Sequence, residues 1–325
     1  MRIAVVGAGG IGGLYGALLA RAGHDVSFLA RGPHLSAIQQ HGLQVQSAEF
    51  GTFSIQARAS DDARELGQAD LVLFAVKTYD LDEAAQAARL LLAPDGSLVT
   101  FQNGVDAPDQ VAAIVGAQHV LIGTTRLETT VLEPGVIGHL SAGHQVSVSA
   151  FDGPPTPRVV ETVATLRAAQ INATAVEDGR LALWDKASML VPMATLTSVC
   201  RSAIGPIRDL PETRAMAQAM LDEFAAVASA YGYDLSAVQS RTQLGVQSAP
   251  PTMKASLARD FERGKQTELD ALTGAIVRLA EARHVPVPTM RTAYAILKLR
   301  EQLETATAAG SAGVAEGVGI AADRR

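Results

Sequence analysis

Short apolar runs recur along the first half of the chain, and segments with apolar residues at helical spacing lie between several of them. Uninterrupted β-branched and apolar runs are typical of strands buried on both faces of a parallel sheet. Their alternation with helical segments, such as Leu81–Leu92 and Arg158–Ala169, indicates an α/β fold. The runs that predict strands are Ile3–Val6, Asp25–Ala30, Ala69–Val76, Ser97–Phe101, Val120–Thr124 and Asn172–Val176.

Two further segments predict strands outside this regular alternation. Leu43–Val45 and Phe53–Ala57 are consistent with a hairpin-like insertion. Thr129–Ala150 alternates apolar and small residues, and we interpret it as antiparallel strands that close the sheet.

The pattern changes at about Leu181, where long segments rich in Ala, Leu and Met replace the strand signals. These segments predict a second domain made of helices. We therefore expect a dinucleotide-binding domain of the Rossmann type over 1–178, an all-α domain over 179–304 and a disordered tail, rich in Ala and Gly, over 305–325. The predicted helices are Leu181–Arg201, Pro211–Tyr231, Ser236–Leu244, Leu269–His284 and Met290–Glu304.

Composition narrows the class of protein. The chain has 325 residues, of which 48% are hydrophobic, so it can bury a sizeable core. Its net charge of −6 offers no electrostatic attraction for nucleic acid. The single Cys200 excludes an intrachain disulfide, and the seven histidines show no ligand spacing, so we expect no metal. We find no signal peptide and no apolar run long enough for a membrane span, and we expect a cytoplasmic protein.

The first predicted strand runs directly into a glycine-rich turn. Gly7, Gly9 and Gly12 have the spacing G-x-G-x-x-G, and apolar residues then continue at helical spacing. A strand, a tight turn and a helix in this order form the fingerprint of a dinucleotide site, in which the helix N-terminus faces the pyrophosphate. We expect the whole turn to contact the cofactor, namely Gly7, Ala8, Gly9, Gly10, Ile11 and Gly12.

The end of the second predicted strand indicates which dinucleotide binds. Enzymes that use NAD place an Asp or Glu about 20 residues after the glycine turn, where it binds the ribose 2′-hydroxyl. Ala30, Arg31 and Gly32 occupy this place here. A guanidinium binds phosphate through two parallel hydrogen bonds, so Arg31 favours the 2′-phosphate of NADP(H) over NAD(H).

Four residues are candidates for further contacts or for proton transfer. Lys77 and Asn103 each follow an apolar strand, at the sheet edge where ligands bind. Lys186 lies in an apolar helical segment that would lower its pKa, and Glu268 lies early in a predicted helix. Each also has an ordinary structural interpretation: a lysine on an amphipathic helix, a carboxylate near a helix N-terminus, or turn residues.

Taken together, the motifs resemble those of the ketopantoate reductase (2-dehydropantoate 2-reductase) family, and the resemblance extends from Met1 to about Glu304. The matching pieces are Gly7–Gly12, Arg31, Val76-Lys77-Thr78, Gln102-Asn103-Gly104, Trp184-x-Lys186, Ser256-Leu257-x-x-Asp260, Thr267-Glu268-Leu269-Asp270 and Gly274.

The resemblance implies a Rossmann domain followed by a helical domain like that of 6-phosphogluconate dehydrogenase, and NADPH-dependent reduction of a 2-oxo acid in pantothenate synthesis. By position, Lys186 would be the general acid and Glu268 would orient it and bind the substrate. Asn103 would hold cofactor or substrate, and Ser256 would bind the substrate carboxylate. Arg31 and Lys77 would contact the 2′-phosphate region of NADP(H).

One departure from the family pattern affects the substrate. The family continues the lysine as Lys-x-x-x-Asn-x-x-x-Asn, but Leu190 and Ala194 stand at these two substrate-binding positions here. Leu190 can neither donate nor accept a hydrogen bond, so we expect a more apolar pocket. Pro192 lies in the same predicted helix, where it should cause a kink.

Three functions therefore stay open at this point. The chain could reduce ketopantoate, reduce another and more apolar 2-oxo acid or ketone, or bind NADP(H) as a sensor without catalysis. A small-molecule substrate is the expected partner, and the apolar surface of the helical domain is compatible with a homodimer.

Overall fold

The computed structural model describes residues 1–140, 143–238 and 246–318, with side chains described as far as residue 304. The chain divides into two compact units. The first extends from Met1 to Leu183, and the second begins at Trp184. The division falls inside a helix, five residues after the boundary predicted at residue 178.

Twelve strands lie in the described part of the first unit, and they form two sheets. In chain order the strands are β1 Arg2–Val6, β2 Asp25–Leu29, β3 Leu43–Ser47, β4 Gly51–Ile55, β5 Arg58–Ser60, β6 Ala69–Phe74, β7 Leu92–Thr100, β8 Val120–Arg126, β9 Thr129–Glu133, β10 Val136–His139, β11 Gln145–Ala150 and β12 Asn172–Ala175. The large sheet has the order β12-β11-β8-β7-β6-β1-β2-β5. Its pairs are parallel except β8 with β11.

β1 lies in the middle of the large sheet because both of its faces are apolar. Ile3 and Val5 belong to the core on one face, whereas Ala4 and Val6 belong to the core on the other. All four are at most 1% exposed. Alternate side chains of a strand point to opposite faces, so a continuous apolar run is what a doubly covered strand requires.

The small sheet corrects one prediction. Thr129–Ala150 was expected to close the large sheet, but only β11 joins it. β9 and β10 instead pair with the predicted hairpin, in the order β4-β3-β10-β9. β10 runs parallel to β3 and antiparallel to β9. The apolar pattern of a segment shows that it is a strand, but not which edge it will join.

In the described part of the first unit, six α-helices alternate with the strands along the chain. They are α1 Gly10–Arg21, α2 Gly32–His41, α3 Ala63–Leu66, α4 Leu81–Leu91, α5 Ala107–Val115 and α6 Pro157–Ala168. α1 buries Leu14, Tyr15 and Leu18 in the same core as Ile3 and Val5. α4 buries Leu81 and Leu91 in the core on the other face. The sheet is therefore covered on both sides, as in a doubly wound α/β domain.

The second unit is helical wherever regular structure is described. Its helices are α7 Gly179–Val199 (shared with the first unit), α8 Ile204–Asp209, α9 Pro211–Ala230, α10 Ser256–Glu262, α11 Thr273–Ala282 and α12 Pro288–Val318. α8 and α10 were not predicted, because helices of six or seven residues carry little periodic signal. α7 runs through Pro192, and the kink expected there stays a prediction.

Two predictions concern segments near the limits of the described structure. The helix predicted over 236–244 lies mostly outside the described residues. α12 extends as far as Val318, into the tail predicted as disordered from residue 305, and the disorder of that tail stays a prediction. Alanines, which favour helix, are frequent there. Residues 319–325 lie outside the described residues.

Candidate active site

The glycine turn between β1 and α1 has the shape that a phosphate-binding loop needs. Gly7 has φ +95°, a backbone conformation that L side chains rarely adopt, and a Cβ there would lie 2.9 Å from the Val76 nitrogen. A Cβ on Gly12 would collide with the Gly7 carbonyl oxygen. A Cβ on Gly9 would meet nothing within 4 Å. Gly7 and Gly12 thus close the turn, and the open side at Gly9 is where a bound group can approach the backbone.

The N-terminus of α1 is suited to an anion. Gly9 caps the helix in an extended conformation, without a side-chain hydrogen bond to the first turn. The first turn contains no acidic residue. The N–H groups of the first turn and the positive end of the helix dipole are therefore available for a phosphate. These residues fit the pyrophosphate of a dinucleotide.

The large sheet brings the predicted cofactor residues to one edge. The turn follows β1, Arg31 follows β2, Lys77 follows β6 and Asn103 follows β7, and these four strands are consecutive and parallel. The chain continues from β1 to β2 on one side and from β6 to β7 on the other, so the direction of the connections reverses between β1 and β6. This switch point is where open α/β sheets bind ligands.

Arg31 is exposed and has an acidic partner that sequence reasoning missed. Its guanidinium lies 2.5 Å from a carboxylate oxygen of Asp80 and 4.0 Å from one of Glu83. The side chain of Arg31 is 67% exposed and that of Asp80 is 28% exposed. The hydrogen bond with Asp80 raises the pKa of Arg31. The end of β2 therefore holds a carboxylate as well as a guanidinium, because the turn after Lys77 supplies one.

Gln102 connects the ends of β6 and β7. Its side-chain amide donates to the carbonyls of Phe74, at 2.9 Å, and Val76, at 3.1 Å. Its Oε1 is buried and, among the described residues, is the one buried side-chain oxygen or nitrogen without a hydrogen-bond partner. These bonds fix the two segments that carry the exposed Lys77 and the half-buried Asn103. Gln102 was part of a recognised motif, but no role was predicted for it.

In the second unit, α7 carries the predicted lysine and the two positions that depart from the family pattern. Lys186 and Leu190 are half-buried, and Ala194 is fully buried. Their i, i+4, i+8 spacing places them along one side of the helix. Lys186 is therefore followed by apolar residues along this side of the helix.

Glu268 is buried at 5% exposure but is not in a helix, which corrects the prediction that it lies early in one. It belongs to a turn before α11, and its carbonyl accepts the N–H groups of Ala271, at 3.2 Å, and Leu272, at 3.0 Å. The turn is held from α12, where Tyr294 and Lys298 each contact the carboxylate of Asp270 at 2.7 Å.

One contact relates this turn to α7. The hydroxyls of Thr195, on α7, and Thr273, at the start of α11, lie 2.7 Å apart and are fully buried. Ala194, a predicted substrate-binding residue, directly precedes Thr195 in α7. Ser256 is half-buried and is the first residue of α10. That the side chains of Lys186, Glu268 and Ser256 lie together in one site stays a prediction.

A cavity of about 360 Å³ lies elsewhere in the second unit, at the C-terminal end of α7. It is lined by Thr197, Ser198, Arg201, Ala258, Phe261, Glu262, Arg300 and Glu304. Thr197 is eleven residues beyond Lys186, or about 16 Å along an α-helix. None of the predicted site residues lines this cavity, so we do not assign it to the reaction.

Within residues 1–140, 143–238 and 246–318, no group of three or more His, Cys, Asp or Glu residues could hold a metal ion. No helix in this part of the chain is long and apolar enough to cross a membrane.

Comparison with protein families agrees with this geometry over both units. The model of ketopantoate reductase PanE/ApbA matches residues 3–153, and that of its C-terminal domain matches residues 178–301. The chain belongs to the ketopantoate reductase family. A 2-dehydropantoate 2-reductase from Mesorhizobium japonicum is 31% identical over 320 residues, which cover 92% of this chain and 97% of that protein.

Solved structures show the same architecture. A PanE/ApbA family ketopantoate reductase from Ralstonia eutropha JMP134 superposes with a TM-score of 0.87 and 31% identity, covering 94% of this chain and all of that one. A D-mandelate dehydrogenase solved with NADH and anilino(oxo)acetate has a TM-score of 0.86 at 20% identity, covering 94% of this chain and 100% of that one. The second likeness concerns the fold alone.

Proposed function

We propose that this ketopantoate reductase family member is an NADPH-dependent reductase of 2-oxo acids, with 2-dehydropantoate as the first candidate substrate and pantothenate synthesis as its pathway. The observation that carries the proposal is the glycine turn, open at Gly9 and followed by a helix N-terminus without acidic residues. Arg31, at the end of the neighbouring strand, supports NADPH over NADH.

The residues have distinct roles in this proposal. The reduced nicotinamide supplies hydride to the substrate carbonyl carbon when it is bound. Lys186 donates a proton from Nζ to the carbonyl oxygen, as the general acid of the reduction. Glu268 orients this lysine and binds a substrate hydroxyl. Asn103 holds cofactor or substrate, and Ser256 binds the substrate carboxylate.

Leu190 and Ala194 are the reason to test substrates beyond ketopantoate. A substrate hydroxyl that faces Leu190 loses a hydrogen-bond partner, which costs about 1–3 kcal/mol for an unsatisfied buried group. A 2-oxo acid or ketone with a larger apolar side chain has no such penalty and is the second candidate substrate. A D-mandelate dehydrogenase shares this fold, and an aromatic 2-oxo acid therefore belongs in the test panel.

The test is the rate of NADPH oxidation with ketopantoate and with bulkier apolar 2-oxo acids, using NADH in parallel. Wild-type protein and Leu190→Asn are compared. We expect the variant to favour ketopantoate, with kcat/KM for ketopantoate relative to an apolar analogue rising about tenfold, because the amide restores a partner worth about 1–1.5 kcal/mol.

Each outcome has a clear meaning. A lower ratio in Leu190→Asn would show that the argument for a more apolar pocket at Leu190 is wrong. No turnover of any substrate, together with tight NADPH binding, would favour the third candidate, a sensor that binds NADP(H) without catalysis. The catalytic proposal would then be wrong.

A further inference from the structure

His34 connects three separate segments of the first unit. It lies in the first turn of α2, and its Nε2 is 2.8 Å from the carbonyl oxygen of Ala8, in the glycine turn. Its Nδ1 accepts the backbone N–H of Gly135 at 2.9 Å, in the connection between β9 and β10. Ala8 itself is buried, at 3% exposure. One imidazole ring therefore joins the glycine turn to the small sheet.

The two partners determine the protonation state of the ring. A backbone carbonyl can only accept a hydrogen bond, and a backbone N–H can only donate one. Nε2 must therefore carry a proton, and Nδ1 must carry none. His34 is neutral in this arrangement, as a single tautomer. A second proton would place an N–H of the ring against the N–H of Gly135 and break that hydrogen bond.

The small sheet also supports the glycine turn by direct packing. A Cβ on Gly10 would lie 2.6 Å from the Thr129 hydroxyl oxygen of β9, and a Cβ on Gly13 would lie 2.7 Å from the Ile137 side chain of β10. The turn therefore lies against the β9–β10 hairpin, and His34 adds directional hydrogen bonds to this packing.

We propose that neutral His34 is a positioning residue that holds the glycine turn against the β9–β10 hairpin, and that protonation of His34 weakens dinucleotide binding. The inference rests on the proposed function in one respect, the identity of the ligand. The role proposed for His34 is to position the backbone N–H groups of the glycine turn. These groups must already point towards the pyrophosphate site before the dinucleotide binds.

The direction of the pH effect follows from burial. Burial lowers the pKa of His34 from its ordinary value of 6.5, and the hydrogen bond to Ala8 opposes this shift in part. The ring is therefore neutral at pH 7, and it gains a proton only as the pH falls below its lowered pKa. Burial and the hydrogen bond to Ala8 account for the shift, and no other ionisable side chain contributes to it. The ionisable side chains on the neighbouring segments are Arg31, just before α2, and His41, at its end, Tyr15 and Arg21 of α1, and Glu133 and His139 of the β9–β10 hairpin.

Two variants of His34 separate its hydrogen bonding from its titration. His34→Gln keeps an N–H donor for Ala8 and does not titrate, whereas His34→Ala removes both bonds. His41→Gln is the matched control, because His41 is exposed at the other end of the same helix. We expect His34→Ala to raise the Kd of NADP+ about tenfold at pH 8, and His34→Gln to stay within about twofold of wild type.

The pH profile provides a readout that a merely structural role would not change. Calorimetric Kd values for NADP+ are measured from pH 5.5 to 8 for wild type, His34→Gln and His41→Gln. A phosphate monoester itself titrates at about pH 6, so the profile of His34→Gln records that contribution together with those of every group other than His34. We expect wild type and His41→Gln to lose additional affinity at the acid end of this range, as the pH falls below the lowered pKa of His34. Profiles of identical shape in all three proteins would overturn the proposal.

The protein without cofactor gives an independent test. In hydrogen exchange of the ligand-free protein at pH 8, we expect the peptide that contains the glycine turn to exchange faster in His34→Ala than in wild type, and His34→Gln to restore the protection. Equal exchange in all variants would refute the positioning role. If wild type fails to bind NADP+ while the exchange pattern is as expected, the proposed function is wrong and the role of His34 stands.

Discussion

Arg31 was predicted to select NADPH over NADH, and the structure adds a carboxylate, that of Asp80, beside its guanidinium. The preference for NADPH over NADH is therefore the prediction to test first. For Arg31→Ala we expect weaker binding of NADPH and little change for NADH. A charge-assisted hydrogen bond contributes about 1.5–3 kcal/mol. The guanidinium is 67% exposed, which favours the lower end, or about a tenfold rise in Kd.

Asp80→Asn should act in the opposite direction. An ion pair as exposed as this one contributes about 0.2–1 kcal/mol, and NADPH must share or displace it. Without the carboxylate, the guanidinium is available to the 2′-phosphate, and a like charge next to that phosphate disappears. We expect the Kd of NADPH to fall by up to about fivefold. For NADH we expect no gain, and a loss if Asp80 accepts a hydrogen bond from the 2′-hydroxyl.

The assay is titration of each dinucleotide into the protein at two ionic strengths, followed by calorimetry. Arg58→Ala is the matched control, since Arg58 is 60% exposed and pairs with Asp25 at 3.6 Å on the same sheet. The ratio of the two Kd values should change for Arg31 and Asp80 variants and stay constant for Arg58→Ala. If Arg31→Ala weakens NADH as much as NADPH, Arg31 does not recognise the 2′-phosphate and the cofactor argument is refuted.

Two other predictions concern catalysis and stability. Lys186→Ala should lower kcat by about 10²–10⁴-fold while the Kd of NADPH stays within about twofold, because a general acid acts on the reaction and not on cofactor binding. Lys265→Ala is the control, since Lys265 is exposed. An equal loss of kcat in both variants would argue against Lys186 as the general acid. In the core, the hydroxyls of Tyr15 and Thr125 lie 2.5 Å apart, with both side chains buried. Tyr15→Phe should lower the free energy of unfolding, measured by urea denaturation, by about 1–3 kcal/mol. The double variant with Thr125→Val should recover part of this loss, because no polar atom is then left unpaired. Purely additive losses in the two single variants and the double variant would contradict this reasoning.

Local features of the site could be predicted because they depend on residues that are neighbours in the chain. The apolar run at β1, the glycine spacing and the start of α1 lie within the first 21 residues, and steric limits at each glycine determine the shape of the turn. Lys77 and Asn103 were placed at the sheet edge for the same reason, since each directly follows an apolar strand. Glu268 was misplaced, because a buried turn has no periodic pattern to mark it.

The sequence by itself determined the two-part architecture, the glycine turn and the family, because apolar periodicity and turn chemistry are local properties. Only the tertiary structure decided which distant groups meet. Asp80 reaches Arg31 across 49 residues, and Gly135 reaches His34 across 101 residues. β10 pairs with β3 instead of joining the large sheet. Such contacts depend on which strand edges and polar groups the folded chain brings together, and residue pattern alone does not specify those partners.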